Sequence, residues 1–176
     1  MLKAGDVITR LITARGEGRS AGRIKDLVID SSGRDVMALV VSDGLFSASR
    51  VVPWGAVQAF GPDSVIIDTV ESVVSASSLP EVKEVLAKKT RIKGLKLLTV
   101  RGKELGKITD VVFDETTGDV LGYELSGDLF ADEFDGTPFL PTPQWIEMGK
   151  DVAFVAADVE ETIGPSGARP AEAATS

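Results

Sequence analysis

The sequence is written twice. Gly22-Arg23-Ile24-Lys25-Asp26-Leu27-Val28-Ile29-Asp30 lies over Gly106-Lys107-Ile108-Thr109-Asp110-Val111-Val112-Phe113-Asp114 at a constant offset of 84 residues. The same offset places Asp35-Val36 on Asp119-Val120, Ser42 on Ser126 and Leu45-Phe46 on Leu129-Phe130, about ten identities in 25 positions without a gap. After a four-residue insertion, Val52-Pro53 meets Leu140-Pro141. A chain of 176 residues built this way folds as two copies of one small domain, each with enough apolar residues to close its own core.

Each copy reads as strands. Leu27, Ile29 and the run Val36-Met37-Ala38-Leu39-Val40-Val41 are aliphatic, β-branched and separated by a Ser-Ser-Gly turn. In the second copy Val111-Val112-Phe113 and Val120-Leu121-Gly122-Tyr123-Glu124-Leu125 flank Asp114-Glu115-Thr116-Thr117-Gly118-Asp119, again a hairpin. Pro53 and Pro141 belong at a strand start or edge, because proline cannot donate to a ladder. Between the copies, Ser78-Leu79-Pro80-Glu81 has the form of a capping box, and Leu79, Val82, Val85 and Leu86 recur at helical spacing. That predicts an amphipathic helix packed as a spacer between two barrels. The expected organisation is a first barrel over 1–76, a helical linker over 77–89, a second barrel over 90–163 and a disordered tail over 164–176, rich in Gly, Pro, Ala and Thr.

Composition narrows the chemistry. The chain has no cysteine and no histidine, which removes disulfides, thiol nucleophiles, Cys-ligated zinc, Ser-His-Asp catalysis and the commonest general base. No Ser-x-x-Lys or phosphate-cradling Gly-x-x-x-x-Gly-Lys segment occurs. Asp26 and Asp30 recur as Asp110 and Asp114, and recurrence at strand ends suits turn hydrogen bonding better than one active site. No catalytic residue, cofactor, metal site or small-molecule substrate is expected. The N-terminus meets charge and glycine at once, and no apolar run approaches the ~18 residues of a spanning helix, so a cytoplasmic protein is expected.

These residues resemble the PRC-barrel family, the β-barrel shared by the H subunit of photosynthetic reaction centres and the C-terminal domain of a ribosome maturation factor. The resemblance rests on Gly5-Asp6-Val7-Ile8, on Gly22 to Asp30, and on Val52-Pro53-Trp54-Gly55-Ala56-Val57; Gly102 to Asp110 and Leu140-Pro141 repeat it. Thr142 stands where Trp54 would align, and the nearest tryptophan is Trp145. The resemblance implies an all-β protein, two tandem barrels joined by a short helix, acting as a docking or scaffold module for a protein partner or as a homodimer.

Three groups of residues are candidates for contact with a partner. Val36, Ala38 and Val40 give the first copy's hairpin a second apolar face, which the helix, the other barrel or another subunit must cover; Trp54 lies near them in sequence. Phe130 and Phe134 sit in the inserted loop Asp128-Leu129-Phe130-Ala131-Asp132-Glu133-Phe134-Asp135-Gly136, whose four carboxylates read as a solvated acidic loop because their spacing is not that of a calcium-binding loop. Charge is segregated as well. From Leu79 to Lys107 there are 9 basic residues against 3 acidic, and from Ile108 to Ile163 there is 1 against 14. Lys88, Lys89, Arg91, Lys93 and Lys96 are candidate contacts for a nucleic acid or an anionic membrane surface. This second reading, an accessory factor in RNA processing or ribosome maturation, is weakened by the lack of interleaved aromatic residues for stacking bases.

Overall fold

The computed structural model describes residues 1–42, 49–89 and 91–166. Strand β1 (Leu2–Lys3) and the single helical turn α1 (Ala4–Val7) lead into the first barrel: β2 (Leu11–Ala14), β3 (Arg19–Ile29), β4 (Val36–Ser42), β5 (Arg50–Pro53), β6 (Val57–Phe60), β7 (Ser64–Ile67) and β8 (Val74–Ser75). Helix α2 (Pro80–Ala87) precedes β9 (Lys96–Thr99), β10 (Glu104–Phe113), β11 (Val120–Ser126), β12 (Pro138–Pro141), β13 (Ile146–Met148), β14 (Val152–Val155) and β15 (Gly164–Pro165).

The two sheets have one strand order. The first runs β6-β7-β2-β3-β4-β5-β8 and the second β13-β14-β9-β10-β11-β12-β15, so each strand of the first barrel has its counterpart in the second. Both sheets curl into the expected all-β tandem architecture. Irregularities repeat too. In each long hairpin the register shifts twice, between Ile24 and Asp26 and between Val28 and Ile29, then between Ile108 and Asp110 and between Val112 and Phe113. Such bulges sharpen twist and let a short sheet close on itself. Gly22 and Gly106 hold φ of +115° and +122°, a region that excludes side chains, and a Cβ at Gly22 would stand 2.9 Å from the carbonyl oxygen of Ser42.

Three sequence expectations need correction. Strand β1 pairs with β10 (Leu2 with Phe113, Lys3 with Val112), so the first residues of the chain belong to the second sheet and not to a barrel over 1–76. Helix α2 joins the two barrels in the chain, as expected, and packs on the outer face of β3, β4 and β5, where Val82 meets Val28, Ala38, Val40 and Val51. Its capping box is not formed: Leu79 is the N-cap without a side-chain bond, Pro80 opens the helix, and the Ser78 hydroxyl instead donates to the Ser75 carbonyl at 2.6 Å. Gly164 and Pro165 pair with Phe139 and Pro138, which moves the start of the tail past them. The remainder of the tail, from Gly167, and the repeated Leu45-Phe46 lie outside the described residues.

The barrels meet tip to tip. The Val36 amide donates to the Gly118 carbonyl at 2.8 Å and the Val120 amide donates to the Arg34 carbonyl at 2.7 Å. Each bond is the other displaced by the repeat offset, which is what a local two-fold relation between the halves produces. The two interiors join there into one continuous apolar cluster that includes Ile29, Val36, Phe113, Tyr123 and Ile146. Among the described residues no helix is long and apolar enough to cross a membrane.

Candidate interaction surface

The recurring carboxylates organise backbone. Asp30 Oδ1 accepts the amides of Arg34 and Asp35 at 2.8 and 3.1 Å, and Asp114 Oδ1 accepts those of Thr116 and Thr117 at 2.7 and 3.1 Å. These two amide bonds hold the Asp114 carboxyl below the usual aspartate value. Asp26 and Asp110 each accept the amide of the next residue at a bulge, and Asp110 also accepts the Gly5 amide at 3.0 Å. The side chains that recur in both copies therefore shape hairpin turns and bulges in both copies.

Four of the six partner candidates are turned inward. Val36, Ala38, Val40 and Phe130 are buried. The bulge that leaves Met37 unpaired, with Val28 opposite Ala38 and Ile29 opposite Val36, splits the expected face: Val36 enters the barrel core while Ala38 and Val40 meet helix α2. The second apolar face is thus covered from within the chain. Phe130 and Phe134 stack on each other, with centroids 6.0 Å apart, and pin the acidic loop to the second barrel. Among the described residues no cluster of carboxylates is arranged to hold a metal ion.

Trp54 works at the junction. It stacks on Phe60 at 5.5 Å and meets Phe113 edge-on at 6.2 Å, and a Cβ at Gly118 would stand 2.8 Å from its indole ring. A glycine on the second hairpin thus lets a tryptophan of the first barrel close the seam. On the opposite side of the local two-fold, Tyr123 takes the comparable place: buried, it donates to the Gly33 carbonyl at 2.6 Å, beside Ile146 and Met148. Thr142 donates to the Val120 carbonyl instead of packing an aromatic ring, and Trp145 is left 45% exposed.

The basic run divides in two. Lys93 lies 3.5 Å from Asp110 and Lys96 lies 4.0 Å from Glu104, both across solvent-facing gaps. Lys88, Lys89 and Arg91 are exposed at the end of α2 and have no carboxylate partner among the described residues. Among the described residues the run is therefore a short cluster without carboxylate partners, continued by two lysines that each face a carboxylate.

One open apolar surface was not singled out by sequence reasoning. Among the described residues five large hydrophobic side chains are exposed, and Val100, Trp145 and Phe154 are three of them. All three belong to the free end of the second sheet, where β13 is the edge strand and β14 and β9 follow. Register places Phe154 beside Leu98 and Val152 beside Lys96, all four on the side of the sheet opposite Leu97, Ala153 and Val155, which are buried. A signal was present in the repeat. Equivalent positions in the first barrel carry Thr13 for Leu98, Arg15 for Val100, Ser64 for Val152 and Ile66 for Phe154.

A family model of the PRC-barrel domain matches the chain twice, over residues 3–74 and 85–161. No curated protein matches it. Because the matches span most of the chain and coincide with two sheets of one strand order, the chain belongs to the PRC-barrel family and carries two of its domains in tandem.

Proposed function

We propose that the protein is a non-catalytic assembly module, a tandem barrel that holds a protein partner or a second copy of itself. The observation that carries this reading is the apolar surface of Val100, Trp145 and Phe154, displayed on a body whose two halves are joined by backbone pairing and a shared core. Contiguous apolar area open to water is characteristic of an interaction site, and an exposed tryptophan is a preferred anchor. The engagement of the repeated carboxylates in turns and bulges supports a structural role for them.

The reading as an RNA-linked accessory factor has one observation in its favour, the exposed Lys88, Lys89 and Arg91, which have no carboxylate partner among the described residues. Three cations make a small electrostatic footprint on a chain of net charge −8, and the assembly reading accounts for more of the surface. Tagged full-length protein recovered after cross-linking in its native cell is expected to carry a protein, or an untagged copy of itself, in fixed stoichiometry. Recovery of neither would overturn the proposal. A salt-sensitive RNA gel shift, lost in the Lys88→Ala/Lys89→Ala/Arg91→Ala variant, would favour the alternative.

A further inference from the structure

We infer that the outer face of β3, β4 and β5 is a docking site for an amphipathic helix of a partner protein, and that α2 is the segment of this chain which such a helix displaces. The inference goes beyond the assembly reading, because it concerns a different surface from the open strip of the second barrel.

The first barrel alone is shaped to seat a helix on this face. Val28, Ala38, Val40 and Val51 form an aliphatic floor, and Val82 of α2 closes one cluster with them. Register gives the counterparts in the second barrel: Gly122 for Ala38, Glu124 for Val40 and Phe139 for Val51. There the Phe139 ring lies on Gly122, where a Cβ would stand 2.8 Å from its Cε2, and Lys3 and Ser166 hold Glu124. The second barrel thus fills this face with side chains of its own strands. The fold requires no helix there; the small aliphatic floor of the first barrel does.

Helix α2 can leave without breaching either barrel. The cluster beneath it is separate from the core that fills both barrels and their junction, so its release is a local opening. The helix is also loosely held. It has eight residues, too few to persist alone in water, only Val82 is buried, and its N-cap Leu79 makes no side-chain bond. Just past its end Lys89 holds φ +51°, a left-handed conformation that costs a residue with a Cβ and is relieved when the segment lets go.

The seat selects its occupant. Leu79, Val82, Val85 and Leu86 meet the floor at positions i, i+3, i+6 and i+7, while Glu81, Lys83 and Glu84 face water. A partner helix with this spacing over more than two turns makes the same contacts and brings more helical stability of its own. An added strand does not fit, because β4 at the centre of the floor is hydrogen-bonded on both sides.

The probe is a fluorescein-labelled peptide of residues 77–89, added to the full chain and followed by fluorescence anisotropy. Val82→Asp in the chain removes the anchor of α2 and leaves the floor intact. It is expected to tighten peptide binding about tenfold or more, because the fraction of chains with an open seat rises. The same peptide carrying Val82→Asp is expected not to bind. Hydrogen exchange in the wild type is expected to open the α2 amides ahead of those in β3 and β4, and Val82→Asp is expected to speed α2 alone. A peptide that binds the Val82→Asp chain no better than the wild type would overturn the inference. So would α2 amides that exchange only with β3 and β4, or loss of the β-sheet melting transition in Val82→Asp, since the helix would then be part of the cooperative fold. Any of these outcomes leaves the assembly reading standing, because that reading rests on the strip around Trp145 and Phe154 and is tested by cross-linking.

Discussion

Asp35 and Asp119 stand opposite each other as an antiparallel bridge, each at the tip of its own hairpin and each in the same place in its own half of the chain. The backbone bonds on either side of the bridge clasp the barrels, but they also bring two carboxylates together. Loss of surrounding water, the charges of Asp30 and Asp119, and a side-chain hydrogen bond with Asp119 all push the Asp35 carboxyl above its ordinary value of 3.8. The folded protein therefore holds this proton more tightly than the unfolded chain. The bridge gains stability as pH falls through the raised value and loses it as pH rises back through it. Asp119→Asn is expected to raise the melting midpoint at neutral pH, by the equivalent of less than about 1 kcal/mol because both acids face solvent. The difference between variant and wild type should shrink as the solution is acidified toward pH 4. A difference that is constant from pH 4 to 7 would remove the carboxylate pair as its cause.

Tyr123 is the one tyrosine in the chain, so its ionisation can be followed by absorbance without interference from another phenol. Burial pushes its hydroxyl well above the ordinary value of 10, and the neighbouring charge of Asp30 acts in the same direction. The unfolded chain then releases this proton first, and stability is lost as pH rises above about 10. Tyrosinate absorbance is expected to appear together with the loss of β-sheet circular dichroism in an alkaline titration. Tyr123→Phe leaves the Gly33 carbonyl without its donor and is expected to cost about 1–3 kcal/mol in a denaturant melt. An independent tyrosinate transition in folded protein would show that the hydroxyl is not sealed at the junction.

The long hairpins require glycine at two equivalent places. Alanine at Gly22 or Gly106 would combine a φ near +120° with a Cβ against the carbonyl oxygen of Ser42 or Ser126. Each substitution is expected to cost more than about 2 kcal/mol, the sum of left-handed strain and displaced strand backbone. Gly102 also has a positive φ, +87°, but nothing lies within 4 Å of its Cβ position. Gly102→Ala should therefore cost only about 1 kcal/mol. Thermal melts of the three variants check the ranking, and equal losses would mean that backbone strain alone sets the effect.

Much of this architecture can be read from residues a few positions apart. Alternation and turn chemistry place the hairpins at Leu27–Val41 and Val111–Leu125, and the offset between Gly22 and Gly106 carries one barrel onto the other. The contacts that escape such reading are non-local or depend on one extra residue. Leu2 meets Phe113 across more than a hundred residues, which no local pattern encodes. The bulge at Met37 reverses the side of Val36 relative to Ala38, because a one-residue slip in a period of two exchanges the faces. The open strip with Trp145 and Phe154 is visible only when outward positions of the two copies are compared strand by strand, since the identities that reveal the repeat lie elsewhere.

The same comparison gives a final prediction about how the second barrel replaces the helix cover of the first. Val40 on β4 meets helix α2, whereas its counterpart on β11 is Glu124, buried and held by the Lys3 ammonium at 2.8 Å and the Ser166 hydroxyl at 2.9 Å. The hydrogen bond and charge of Glu124 raise the Lys3 ammonium above its ordinary value of 10.5, so the pair's contribution is complete below that value and is lost as pH rises beyond it. Lys3 belongs to β1, which makes this contact a side-chain fastening for the strand that crosses from the start of the chain to the second sheet. Lys3→Met strands a mostly buried carboxylate and is expected to cost about 2–3 kcal/mol, reduced from the cost at a fully buried pair because Lys3 itself is half exposed. Adding Glu124→Val, which installs the first barrel's residue, is expected to recover most of that loss, because a well-packed apolar pair can replace an ion pair at little cost. Hydrogen exchange at the Leu2 and Lys3 amides should rise in Lys3→Met and fall again in the double variant. A double variant as unstable as Lys3→Met would mean that the lysine acts through its packing on β10 and not through Glu124.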